Sequence, residues 1–315
     1  MGRYGFLFPG QGSQKPGMGK EFYEKNETAR GIFDDAEKLM GDRSLKALCF
    51  EASDEELTKT ENAQPALYTV CYAVYQALRA MGHEGEVYAG HSLGEYTAVA
   101  AAGYLSFEDG LRLVQTRGLL MRDCDPERKG GMAAIIGLDA GAVRAVCEEV
   151  GGVFPANFNT PSQLVISGLK ENVKAAAQRC GSLGAKRAIV LNVGGAFHTR
   201  YLAGAALEME KELGRVEWKS GKGKVASNAT AQVTGDPALI RENLVKQLVS
   251  PVLWSDSMIG LIRMGHTKYV EGGPGGVLRG LVRSIARDVP RDVPRDAVHR
   301  VQVVSVEKPD DAAGL

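Results

Sequence analysis

The 315-residue sequence is short of charge imbalance, clustered cysteine and long apolar runs, and each shortage removes a class of function. Lys and Arg together number 38, and so do Asp and Glu. A chain of zero formal net charge lacks the excess cation with which a general nucleic-acid binder displaces counterions. Its five cysteines, Cys49, Cys71, Cys124, Cys147 and Cys180, form no CxxC pair, and no Cys/His cluster has zinc-ligand spacing. No metal is therefore expected, and reduced thiols in a cytoplasmic protein are the simplest reading. No stretch reaches the ~18 uncharged apolar residues needed to span a bilayer. The N-terminal apolar run meets Pro9-Gly10 too soon for a signal-peptide core. A Walker A element is missing, and the GxGxxG pattern that starts at Gly10 fails at its last position, where Lys15 stands.

What is present suits a chain that buries a core. Hydrophobic residues make up 44%, and the length allows one large domain or a large domain with a smaller insert. Tyr4–Phe8 reads as a buried strand, with helical patterning over about 22–40 and a long amphipathic helix over about 65–81, Pro65 lying in its first turn. A short strand at 87–89 runs into a sharp turn, Gly90 to Gly94, and a helix of small residues. Ser106 is the expected N-cap of the next helix, with Asp109 three residues on. Strands alternating with helices predict an α/β fold with a mainly parallel sheet.

The stretch from about 131 to 190 has its own order, βαββαβ, which predicts an inserted ferredoxin-like subdomain. The expected organisation is a discontinuous core, 1–129 and 198–287, an insert over 130–197, and a tail over 288–315. That tail carries a duplicated RDVP unit, one more edge strand near 301–306, and a disordered end, KPDDAAGL.

Four features carry chemistry. Gly90-His91-Ser92-Leu93-Gly94 is a G-x-S-x-G element between a strand and a helix. There glycines permit a sharp turn, and the helix start favours a developing negative charge beside the Ser92 hydroxyl. The same turn would also serve as a plain Ser-capped helix start. A nucleophilic serine needs a base. His198, in the flexible approach Gly194-Gly195-Ala196-Phe197, is the candidate, unless it merely begins a helix; His91 reads as structural. Arg117 shares a helix face with Leu113, Val114, Leu120 and Met121. An arginine on an apolar stripe needs an anion, which is either a structural Asp or Glu or a substrate carboxylate. The loop Phe8–Gln14 either aims backbone N–H groups at an oxyanion or is a simple glycine-rich turn.

Taken together, FPGQGSQ at Phe8, QPAL at Gln64, GHSLGEY at Gly90, QTRG at Gln115, GMAAIIGL at Gly131, NFNTP at Asn157, AFH at Ala196 and QLVSPVLW at Gln247 occur in order. Over about residues 3–287 the chain resembles the malonyl-CoA:acyl carrier protein transacylase family, which also supplies acyltransferase domains of polyketide synthases. The resemblance implies a hydrolase-like core with a ferredoxin-like insert. It implies Ser92 as the acylated nucleophile, His198 as its base, and Arg117 as the binder of the malonyl carboxylate. The N–H groups of Gln11 and Leu93 would form the oxyanion hole, and the backbone carbonyl of Gln247 would orient the imidazole. Met121 and Phe197 complete the implied substrate-binding set, Phe197 crowding the substrate α-carbon against branched units. Malonyl-CoA and acyl carrier protein are the implied partners, the coenzyme A thioester being a substrate and no cofactor being needed. A monomer that binds neither nucleic acid nor membrane is expected. The chain departs from the family at Gly276, where many relatives carry Lys.

Overall fold

The computed structural model describes residues 3–41, 43–125, 127, 129–290 and 292–315. Ten strands form two sheets: β1 (Arg3–Phe8), β2 (Glu84–Gly90), β3 (Gly130–Ile136), β4 (Val153–Thr160), β5 (Gln163–Leu169), β6 (Arg187–Leu191), β7 (Lys224–Ala226), β8 (Val233–Thr234), β9 (Lys268–Gly272) and β10 (Gln302–Val306). The larger sheet has the order β10-β9-β1-β2-β7-β8 and is parallel except for the β7–β8 pair. The smaller has the order β4-β5-β3-β6 and is antiparallel throughout. This mixed α/β architecture, mainly parallel in its larger sheet, agrees with the strand and helix alternation in the sequence.

Both faces of the parallel sheet are covered. The helix Thr60–Ala80 is buried over almost its whole length, because apolar and small residues run all round it. With Phe6, Phe8, Tyr75 and Tyr88 it builds one side of the core; Trp254, Met258, Ile262, Leu278 and Ile285 pack the other. A third apolar cluster lies between the antiparallel sheet and its two helices, Ala140–Val150 and Lys170–Ser182. The smaller sheet is tied to the loop before the helix Trp254–Arg263, where Phe158 N donates to Val252 O (2.8 Å) and Val252 N to Ala156 O (2.8 Å). Among the described residues, no helix is long and apolar enough to cross a membrane.

Three expectations are corrected. Helical patterning over 22–40 is two helices, Lys20–Lys25 and Glu27–Leu39, because the Asn26 side chain accepts from Ala29 N and starts the second. The long helix begins at Thr60, so Pro65 lies inside it rather than in its first turn. Nor is the segment KPDDAAGL disordered. Residues 309–314 form a 3-10 helix anchored by the Asp311 carboxylate, which accepts from the backbone N–H groups of Glu307 and Lys308 (both 2.9 Å). Lys15 pairs with Glu307, and β10, inside the stretch set apart as a tail, is the outer strand of the larger sheet. The Ser106 cap is present: its hydroxyl accepts from Asp109 N at 3.0 Å.

The sheet sets the site through one pairing, Phe8 opposite Gly90 at the carboxyl ends of β1 and β2. Ligands of parallel α/β sheets bind at that edge. The backbones approach too closely there for side chains. A methyl group added at Gly94 would lie 2.0 Å from Phe8 O, and one at Gly90 would lie 1.9 Å from the Gly94 main chain. Gly94→Ala should therefore cost at least about 1–3 kcal/mol through forced backbone displacement. The expected result is a melting temperature several degrees lower, read by circular dichroism. A variant that melts with the wild type would show that strand and helix do not meet this closely.

Candidate active site

Ser92 stands at the turn from β2 into the helix Gly94–Ala101 with φ of +53°, a left-handed conformation that few non-glycine residues adopt. Asn228 holds the turn in that shape: its Oδ1 accepts from Ser92 N (2.6 Å) and its Nδ2 donates to Gly90 O (2.7 Å). His198, from the loop after β6, is left-handed too, with φ of +59°. Its Nε2 lies 2.7 Å from Ser92 Oγ and its Nδ1 lies 2.9 Å from Gln247 O. A carbonyl oxygen only accepts, so Nδ1 carries the proton and Nε2 presents a lone pair to the Ser92 hydroxyl. Burial, helped by the nearby Arg117 charge, pushes the imidazole down to about 3, which keeps it neutral.

Arg117 is 1% exposed and reaches the same oxygen, with Nη2 3.2 Å from Ser92 Oγ. Its other partners are neutral: Gln64 Oε1 accepts from Nη1 (2.7 Å) and Gln247 Oε1 from Nη2 (3.0 Å). The Tyr96 ring lies 5.5 Å from its guanidinium carbon. Of the two readings of this arginine, a structural Asp or Glu is not among its hydrogen-bond partners. The buried cation is thus supplied with dipoles but no paired anion, an arrangement that favours a bound carboxylate.

A cleft of about 360 Å³ opens over these groups. Ser92, His198, Gln11, Met121 and Phe197 line it, as do His91, Asn157 and Asn159. Leu93, Arg117 and Gln247 lie behind its wall, buried. Gln11 extends its side chain to Thr60 Oγ1 (3.1 Å), and among the described residues neither Gln11 N–H nor Leu93 N–H finds a hydrogen-bond acceptor. His91 is held at Nε2 by Asn159 Oδ1 (2.8 Å) and tilts against Trp254, as suits a structural residue, although its ring also borders the cleft.

Sequence reasoning passed over four residues of this site. Gln64 and Asn159 lie in recognisable motifs but were given no role. Asn228 sits just past β7 with no local pattern to mark it. Glu95, in the first turn of the helix Gly94–Ala101, is 1% exposed and accepts through Oε2 from Gln247 Nε2 (2.6 Å) and Asn228 N (3.2 Å). Burial pushes its carboxyl up to about 8, against those hydrogen bonds and the Arg117 charge, which pull it down.

The arrangement can activate a serine hydroxyl, take its proton, and hold a small carboxylate beside it. A hydroxyl, a neutral imidazole and a buried cation so placed are what a serine-dependent acyl-transfer enzyme would need. The acyl transferase domain family matches residues 5–308. A malonyl CoA-acyl carrier protein transacylase of Bacillus subtilis (strain 168) is 44% identical over 284 residues, covering 89% of this chain and 89% of the relative. An acyl carrier protein S-malonyltransferase of Vibrio cholerae superposes with a TM-score of 0.91 at 35% identity, over 99% of both chains. A malonyl-transacylase solved in complex with its type II polyketide acyl-carrier protein gives 0.92 at 34% identity, over 99% of this chain and 98% of that one. The chain belongs to the acyl transferase family, within the group of malonyl CoA-acyl carrier protein transacylases.

The raised Glu95 carboxyl makes a signed prediction. The folded protein holds this proton up to about pH 8 and the unfolded chain only to about 4.3, so the folded state binds more protons between them. Stability from this group is full below about pH 4.3 and is lost as pH rises through about 8. The His198 contribution runs the other way, being lost as pH falls below about 6.5, but it is common to wild type and a Glu95→Gln variant. The melting temperature of wild type minus that of Glu95→Gln should therefore fall steadily from about pH 5 to about pH 8.5. A difference that rises with pH contradicts the buried, desolvated carboxyl.

Proposed function

We propose that this enzyme transfers the malonyl group of malonyl-CoA to the phosphopantetheine thiol of an acyl carrier protein through a malonyl ester on Ser92. The observation that carries the reading is Arg117, buried, without an acidic hydrogen-bond partner, and 3.2 Å from the serine oxygen. In a malonyl thioester the free carboxylate is one methylene from the carbonyl under attack. A guanidinium that grips it has to lie within a few bonds of the nucleophile, as this one does.

In the first half-reaction Ser92 Oγ attacks the thioester carbonyl while His198 Nε2 takes the hydroxyl proton, the Nδ1–H donating to Gln247 O throughout. The N–H groups of Gln11 and Leu93 receive the oxyanion; Ser92 N–H is already engaged by Asn228, which leaves the Leu93 N–H as the donor at the elbow. Collapse breaks the carbon–sulfur bond, and the coenzyme A sulfur leaves with the proton from His198. In the second half the carrier thiol gives its proton to His198 and attacks the ester, and Ser92 recovers its hydrogen. One site serves both halves in turn because the two thiols are chemically alike. Met121 and Phe197 border the acyl group, with Phe197 crowding its α-carbon. No cofactor enters the cycle.

The division into a discontinuous hydrolase-like core and a ferredoxin-like insert over 130–197 belongs to the same reading. It is supported by the β4-β5-β3-β6 order and by the helices that follow β3 and β5. So does a monomer in the cytoplasm that supplies malonyl groups for fatty acid synthesis, polyketide synthesis being the alternative.

Two experiments test the reading. Malonyl-CoA mixed with the enzyme alone should add one malonyl group to the intact mass, peptide mapping should place it on Ser92, and Ser92→Ala should abolish it. Holo carrier protein should then discharge the adduct; discharge to water at the same rate would identify a thioesterase instead. Arg117→Ala should lower kcat/KM for malonyl-CoA by several tens-fold or more, as expected when one partner of a buried charged pair is removed at about 2–5 kcal/mol. Acetyl-CoA, which lacks the carboxylate, should lose little. Equal losses for both would make Arg117 a structural residue and remove the support for malonyl.

A further inference from the structure

Gln247 is fully buried and is used three times. Its main-chain oxygen accepts from His198 Nδ1. Its side-chain Oε1 accepts from Arg117 Nη2, and its Nε2 donates to Ser92 O (2.9 Å) and to Glu95 Oε2 (2.6 Å). A primary amide has an accepting end and a donating end of almost the same shape, so packing alone does not decide which end faces Arg117. If it turned round, an N–H donor would face the guanidinium donors, and an oxygen would face the Ser92 carbonyl and the Glu95 carboxyl. Two acceptors, Ser92 O and Glu95 Oε2, set the direction, and the shorter contact is to Glu95.

We propose that Glu95 is a positioning residue that holds the Gln247 amide with its oxygen toward Arg117 and so aims the arginine fork at the substrate carboxylate. The inference rests on the malonyl-transfer reading given above and extends it to a residue that touches neither substrate nor nucleophile side chain. Oε2 does this work in either protonation state: with a proton on Oε1, Oε2 remains an acceptor. Gln64 Oε1 fixes the other amino group of the fork, so Glu95 completes a two-sided clamp on Arg117. Glu95 also accepts from Asn228 N, but at 3.2 Å that contact is weaker than the 2.6 Å bond to Gln247. Loss of the acceptor should accordingly disturb the arginine more than the serine turn. Malonyl transfer needs the aimed fork; acetyl transfer needs only the turn and the imidazole. The signature is therefore the ratio of the two.

The test compares kcat/KM for malonyl-CoA and acetyl-CoA, with holo carrier protein as acceptor, in wild type, Glu95→Asp and Glu95→Gln, each checked by a melting curve. Glu95→Asp keeps the carboxyl but withdraws its oxygen by one methylene, and should lower the malonyl-to-acetyl ratio on the order of tenfold. Glu95→Gln replaces the carboxyl with an amide but keeps an oxygen in reach of Gln247, and should restore the ratio to within about threefold of wild type. If the aspartate variant does not accumulate, Glu95→Ser leaves a similar gap and carries the same expectation. A folded Asp or Ser variant with an unchanged ratio overturns the proposal, and so does a Gln variant that falls as far as Asp, since an oxygen within reach of Gln247 would then not be what matters. Wild type in parallel separates the two levels. Failure of wild type to transfer malonyl defeats the functional reading. Wild-type transfer with an unmoved ratio in the variants defeats the role of Glu95 alone.

Discussion

The parallel pairing of Phe8 with Gly90 is the constraint on which the rest of the site depends. It releases two loops side by side, one carrying Gln11 and the other Ser92, and His91 N donates back to Phe8 O at 3.0 Å to keep them together. Main chain packs on main chain at this edge. A methyl group at Gly10 would lie 2.3 Å from His91 O, closer than the sum of atomic radii. The glycines at 10, 90 and 94 are thus the spacing of the two loops written into the sequence.

Behind the loops lies a set of buried polar side chains: Gln64, Glu95, Arg117, Asn228 and Gln247. Taking such groups from water is costly unless each finds partners, and most of these do, in one connected network. The network is neutral in its contacts with Arg117 and leaves that cation's demand for an anion open toward the serine. A site of this kind is shaped by what it lacks. On the proposed malonyl-transfer reading, the carboxylate that would complete the arginine in an ordinary protein core is left for a substrate to bring.

Much of this was legible beforehand, for identifiable reasons. Ser92 announces itself because its turn needs glycines at fixed offsets, and a local steric rule leaves a local pattern. Arg117 stands out because a cation on an apolar helix stripe breaks the expected periodicity. Strand and helix order over 130–190 could be read because period-two and 3.6-residue patterns alternate there. By contrast, Asn228 and Glu95 act over separations of more than 130 residues, and nothing near either one signals the partner. The start of the long helix was misjudged because Pro65 looks like a first-turn residue. The burial of the turn around Thr60, which overrides that preference, comes from tertiary packing. The C-terminal residues looked disordered from composition; their order comes from Asp311 and from the Lys15–Glu307 pair, again contacts with no local signal.

Ser92 and His198 share a feature that bears on which residues these two positions tolerate. Both have left-handed backbone, at +53° and +59°. That region is open to glycine, tolerable for short unbranched side chains, and hostile to residues branched at Cβ. Threonine, the nearest chemical relative of serine, would add its methyl group at the very atom the backbone crowds. Cysteine carries no such branch. The geometry of the turn therefore acts as a filter on nucleophile chemistry: an alcohol can be exchanged for a thiol here more easily than for a second alcohol.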